Sequence, residues 1–216
     1  MNKIMQHYNK LLKKYGYQGW WPLLDLHKSK KGVQPTKTGF LRGYHPKDYS
    51  YPKTEKQRFE ICISSILTQN TAWANVEKAL INLEKIKAIN PRVILSMDNK
   101  KIIQAIKPAG YFNQKAKKLK LFSEYYLSLE GKAPKREELL KVWGIGPETA
   151  DSILLYAYKK PCFVVDAYTR RLFPKMKEWG YDKIKSYFER HLKKDYKIYQ
   201  EYHALIVENA KRIRGI

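Results

Sequence analysis

Cysteine is scarce in this chain: Cys62 and Cys162 are the only two among 216 residues. Two thiols cannot build the disulfide framework of a small secreted domain, and they point to a reducing, cytoplasmic setting. His27, His45, His191 and His203 add no ligand spacing that would complete a zinc site. Long apolar runs are also missing. No stretch approaches the ~20 residues of a spanning helix, no signal-peptide core opens the sequence, and no membrane partner is expected. Acidic residues are few as well: 20 Asp and Glu stand against 43 Lys and Arg, a formal net charge of +23. Such an excess repels itself in the compact state and attracts a polyanion. Nucleic acid gains further from counterion release. A lysine-rich surface bias is the bland alternative, and charge alone says nothing of chemistry.

What is present reads as a globular chain, 44% hydrophobic and 13% aromatic. Apolar residues recur at helical spacing, first from Ile4 through Leu11 and Leu12 to Tyr15. Residues 17–53 read as one long loop broken by glycines and prolines. Thr54 can cap a helix whose inner stripe is Phe59, Ile63, Ile66 and Leu67. Thr71 or Asn70 restarts a helix through Val76, Leu80 and Leu83, Pro91 opens a short one, and Asp98 caps another to Ile106. Residues 114–129, 136–142, 147–159, 167–178, 182–193 and 195–213 complete the set. Phe163-Val164-Val165 alone hints at a strand, too short to build a sheet. The fold class is all-α.

The segment Val142-Trp143-Gly144-Ile145-Gly146-Pro147-Glu148-Thr149-Ala150 is the most informative. Two helices flank a Gly-x-Gly turn, and proline opens the second, where its missing N–H costs nothing. Gly144 and Gly146 allow positive φ and close approach of a ligand, and Ile145 between them anchors the turn. Free N–H groups at a helix start suit a phosphate. An ordinary helical corner would show the same local pattern.

This hairpin resembles that of the endonuclease III superfamily of helix-hairpin-helix DNA glycosylases. Three further segments are similar to the family and fall in its order: Ile66-Leu67-Thr68-Gln69-Asn70-Thr71, Gly110-Tyr111-Phe112-Asn113-Gln114-Lys115-Ala116, and Val164-Val165-Asp166. The resemblance implies a two-lobed fold with the active site in the cleft between lobes. A middle lobe at about 54–160 would include the hairpin at 139–150, and 1–53 with 161–216 would form the second lobe. It also implies a monomer that binds double-stranded DNA bearing a damaged base, a cytoplasmic, nucleoid-associated repair enzyme. In the family the matching aspartate is catalytic, so Asp166 takes that role, although a carboxylate there also reads as a helix N-cap. Gly144, Ile145, Gly146 and Thr149 would hold phosphate. Gln69 would wedge into the stack, or simply cap its own helix.

Two departures bear on chemistry. Family members that also cleave the strand carry a lysine where this chain has Glu148, which implies a monofunctional glycosylase leaving an abasic site. Many relatives hold a [4Fe–4S] cluster on four cysteines near the C-terminus; none follows Cys162 here, so no iron–sulfur cofactor is expected. Gly19-Trp20-Trp21-Pro22 looks like the base-pocket segment of the 3-methyladenine DNA glycosylase III branch, with Trp73 at a second pocket position. Indole walls would favour a cationic alkylated purine; equally, paired tryptophans can plug a core. Leu205 stands where that branch has lysine. Lys115, Lys117, Lys118 and Lys120 share one helix, mostly as a solvated face with some turned to phosphate. A bifunctional glycosylase/lyase and an inactive hairpin DNA-binding protein remain as alternatives.

Overall fold

The computed structural model describes residues 2–27, 33–36 and 39–213. Its body is helical: α1 (Lys3–Tyr15), α2 (Glu55–Leu67), α3 (Trp73–Lys85), α4 (Pro91–Ser96), α5 (Asn99–Ile106), α6 (Phe112–Ser128), α7 (Arg136–Leu139), α8 (Pro147–Ser152), α9 (Ala167–Leu172), α10 (Tyr181–His191) and α11 (Tyr196–Ile213). The all-α reading holds, with one correction. Residues 17–53 are not one irregular loop: they contain a 3₁₀ turn at Leu24–Leu26 and an antiparallel hairpin of β1 (Val33–Thr36) and β2 (Gly39–Arg42). Pro35 argues against a strand in a sheet interior, yet it pairs with Phe40 here because both strands of a two-stranded ribbon are edges. Phe163-Val164-Val165 is buried and pairs with no strand among the described residues.

Contacts divide the chain into two compact units, Pro52–Ile153 and Met1–Tyr51 with Leu154–Ile216. In the first, Thr54 caps α2 by accepting from Gln57 N–H, and Gln57 in turn accepts from Lys53 N–H. Buried Phe59–Leu67 makes α2 the central helix of this unit. Phe59 packs edge-on to Tyr126, which also meets Phe122 of α6. Asp98 caps α5 as expected, and Asn90 caps α4 just before Pro91. Neither Thr71 nor Asn70 caps α3; Thr71 donates instead to Ala109 O.

In the second unit α11 packs on α1 and α9. Phe163 stacks on Phe188 at 4.4 Å and meets Tyr199 and Tyr202 edge-on or tilted. Helix α9 stops at Leu172 rather than 178, because Pro174 cannot continue it and opens a 3₁₀ turn. The helix that begins as α8 becomes a π turn at Ile153–Ala157. One buried acid ties the N-terminal loop to α11: Glu201 accepts from Gln18 N–H at 2.5 Å and from Tyr49 OH at 2.8 Å. Burial pushes its pKa up, and these two donors hold it back.

Glu201→Gln keeps the shape but faces two donors with one acceptor. It should cost about 1–2 kcal/mol, seen as a fall of roughly 3–6 °C in Tm by calorimetry.

Candidate active site

Asp166 closes the buried run Phe163–Val165 and is the N-cap of α9. Its Oδ1 accepts from Thr169 N–H at 2.7 Å and from Thr169 Oγ1 at 2.9 Å, a capping geometry that fixes one carboxylate oxygen. The other, Oδ2, faces His203 Nε2 of α11 at 3.4 Å. Burial alone would raise the carboxyl pKa. His203 and the two Thr169 donors outweigh it, and the net shift is downward, so the group is ionised at neutral pH.

His203 is itself held from the other side. Its Nδ1 lies 2.7 Å from the hydroxyl of Tyr156, which also reaches Gln200 O at 3.2 Å. Gln200 Nε2 donates to Leu155 O, a carbonyl in the π turn that carries Tyr156. The tryptophan pair joins this cluster. Trp20 meets the His203 ring edge-on at 5.6 Å, and Trp21 packs on Tyr156 at 4.9 Å. Trp21 and Pro22 are buried, whereas Trp20 is partly exposed. Gly19 makes this seating possible: its φ is +67°, and a Cβ there would lie 2.2 Å from Pro46 N. His45 N–H donates to Gly19 O, and Leu23 N–H to Gly43 O, which ties the tryptophan segment to the loop that follows the β-hairpin.

The other unit carries the hairpin. Arg136 forms a double hydrogen bond with Asp151, linking α7 to α8, and Asp151 is fully buried. Ile145 is buried and anchors the turn. Gly144 has φ +84°, and a Cβ on it would strike the Lys118 side chain, which lies across it. Gly146 differs from expectation: its φ of −92° requires no glycine, and what it offers is open space at its α carbon. Gln69 is bound to this turn, donating to Gly144 O at 3.0 Å and to Thr149 Oγ1 at 2.9 Å while accepting from Lys118 Nζ at 2.5 Å. Trp73 opens α3, half-buried. Trp143 is exposed, with Lys117 Nζ 4.6 Å from its ring centroid.

Residues 63–197 match the HhH-GPD superfamily of base excision DNA repair proteins. The chain belongs to this superfamily. A candidate DNA repair glycosylase of Methanocaldococcus jannaschii is 38% identical, over 97% of this chain and 87% of its own length. Among solved structures, the 3-methyladenine DNA glycosylase of H. pylori, bound to 1,N6-ethenoadenine, is similar at 27% identity. Its TM-score is 0.71, covering 98% of this chain and 99% of that one. Endonuclease III in a non-covalent DNA complex shares the fold at 18% identity and TM-score 0.67, over 96% of this chain and 85% of that one.

As an HhH-GPD protein the chain is well covered by its own motifs. The match takes in Gln69, Trp73, the hairpin and Asp166, and it leaves out Trp20, Trp21, Pro22 and His203. The structure brings Trp20 and Trp21 to Asp166 through His203 and Tyr156, and brings Gln69 to Gly144 and Thr149. Sequence reasoning assigns no role in the site to His203 or Tyr156, although Tyr202–Glu208 also resembles the family. A signal existed: Tyr202–Val207 is a run with no outward face, and a polar residue in such a run needs a partner.

Lys115 corrects a further expectation, since it belongs to neither a solvated nor a phosphate-facing stripe. It is 2% exposed, and its ammonium donates to Leu67 O, Thr71 Oγ1 and Ala109 O at 2.7–2.9 Å. It thereby joins the Thr68–Thr71 and Gly110–Ala116 segments. Lys115→Met should strand these acceptors and cost about 2–4 kcal/mol. Denaturant unfolding would register the loss as a lowered midpoint with an unchanged m-value.

Proposed function

We propose that this protein is a monofunctional DNA N-glycosylase that everts a damaged base, with alkylated purines as its first substrate class, and leaves an abasic site. The observation that carries the reading is an ionised, buried carboxylate, Asp166, with the tryptophan pair packed on its histidine partner. Cleavage of the N-glycosidic bond develops positive charge on the deoxyribose, and a fixed anion lowers that barrier. The same carboxylate can orient or deprotonate the attacking water. An alkylated purine carries a cationic ring, which gains about 1–2 kcal/mol over an indole face; Trp20, Trp21, Pro22 and Trp73 are assigned to its pocket. The likeness to a 3-methyladenine glycosylase supports this substrate class.

Gly144, Ile145, Gly146 and Thr149 are assigned to phosphate. The open α carbon of Gly146, next to the start of α8, supports that role. Gln69 is assigned to the gap left in the stack, for which it would exchange its bonds to the hairpin for bonds to DNA. Glu148 occupies the position at which strand-cleaving relatives have an amine, and a carboxylate cannot form a Schiff base. An iron–sulfur cluster does not fit: four thiolates are needed and the sequence has two cysteines, with Cys62 buried on α2.

Duplexes each bearing one lesion, assayed for released base with and without alkali, test the reading. Asp166→Asn retains the capping oxygen, so the variant should fold and bind DNA while base release falls by about 10²–10³-fold. Release at the wild-type rate would remove Asp166 from the chemistry. Borohydride should trap no covalent adduct; a trapped adduct would replace hydrolysis with lyase chemistry.

A further inference from the structure

Asp166 has two oxygens with different duties. Oδ1 is committed to Thr169 and the start of α9, leaving Oδ2 as the oxygen free for a reaction. Its facing group is His203 Nε2, a buried nitrogen with no formed hydrogen bond. A buried ring nitrogen left in this way is costly unless it serves something.

Proton positions follow from the partners. Tyr156 has one hydroxyl hydrogen and two neighbours, His203 Nδ1 at 2.7 Å and Gln200 O at 3.2 Å. If the hydroxyl donates to Nδ1, the neutral ring must carry its proton on Nε2. If it donates to Gln200 O, Nδ1 must donate to the hydroxyl. The neutral ring would then aim the Nε2 lone pair at the Asp166 anion, two acceptors face to face, which disfavours that arrangement. The favoured arrangement puts the ring proton on Nε2, pointing at Oδ2.

We propose that His203 is a positioning residue for the glycosylase reaction, holding an Nε2–H against Asp166 Oδ2 in an orientation set by Tyr156. The 3.4 Å separation in the free protein shortens when the carboxylate engages a developing cation, as acid–base contacts commonly tighten only in the reacting complex. The inference rests on the glycosylase reading above for its chemistry, but its proton placement stands apart from activity.

The test compares His203→Leu, His203→Asn and His203→Gln in single-turnover excision from the duplex whose lesion the wild type releases fastest. Thermal melts and DNA affinities are measured alongside. A glutamine amide reaches the place of Nε2 and an asparagine amide only that of Nδ1. Leu and Asn should therefore slow base release by roughly 10–100-fold, the range seen when a supporting partner is lost. Gln should recover most of the rate, with DNA affinity within a few-fold throughout. Equal impairment of Gln and Leu in folded proteins, or an unimpaired Leu variant, would overturn the proposal. Should the wild type release no base from any of the lesion duplexes, the glycosylase reading falls and ¹⁵N NMR of the histidine rings still decides the proton. An Nε2–H resonance of His203 that moves in Asp166→Asn supports the placement, and a bare Nε2 overturns it.

Discussion

Keeping one carboxylate ionised inside a protein is the constraint on which this structure turns. Taking Asp166 out of water disfavours its charge, so donors must replace the lost hydration. Two come from Thr169, one turn into the helix that Asp166 itself begins, and the imidazole of α11 stands 3.4 Å from the other oxygen. The local and the distant donors have different effects. Thr169 is present wherever α9 forms, whereas His203 arrives only when α11 packs against it. The charge is thus comfortable only in the finished fold.

Neighbouring features serve the same end. The groups around His203 exclude water and fix the ring: Trp20 edge-on, Tyr156 at Nδ1, and Gln200 bound to the π turn. A π turn is an expensive backbone choice that recurs at functional sites, and here it sets the register from which Tyr156 reaches the histidine. The hairpin in the other unit is stiffened in a comparable manner, by the ion pair of half-buried Arg136 with buried Asp151 and by a lysine laid over its first glycine.

Much of this was legible in the residues, and the failures have physical causes. Helix starts at Thr54, Pro91 and Asp98 are set by side chains acting on their own backbone, so local sequence reports them. Gly144 and Asp166 could be singled out because a turn and a cap leave short-range signatures. Tyr156, His203, Glu201 and Lys115 could not. Each takes its meaning from partners tens of residues away, such as Gln18 for Glu201 and Leu67 for Lys115. Pro35 misled in the opposite direction, since a rule for sheet interiors does not bind a two-stranded ribbon. The α9 boundary was missed by overlooking Pro174.

The caged ammonium of Lys115 has a consequence for how its unit assembles. Its three acceptors sit at the end of α2, before α3, and in the turn between α5 and α6. None alone repays the burial of a cation; all three must be in place together. A partly folded unit lacking any one of these segments would trap a charge with incomplete solvation, which makes such intermediates scarce and the transition all-or-none. Fraying of the Ala109 turn would then travel to the end of α2, so amide protons in both places should exchange with solvent in a single shared opening event.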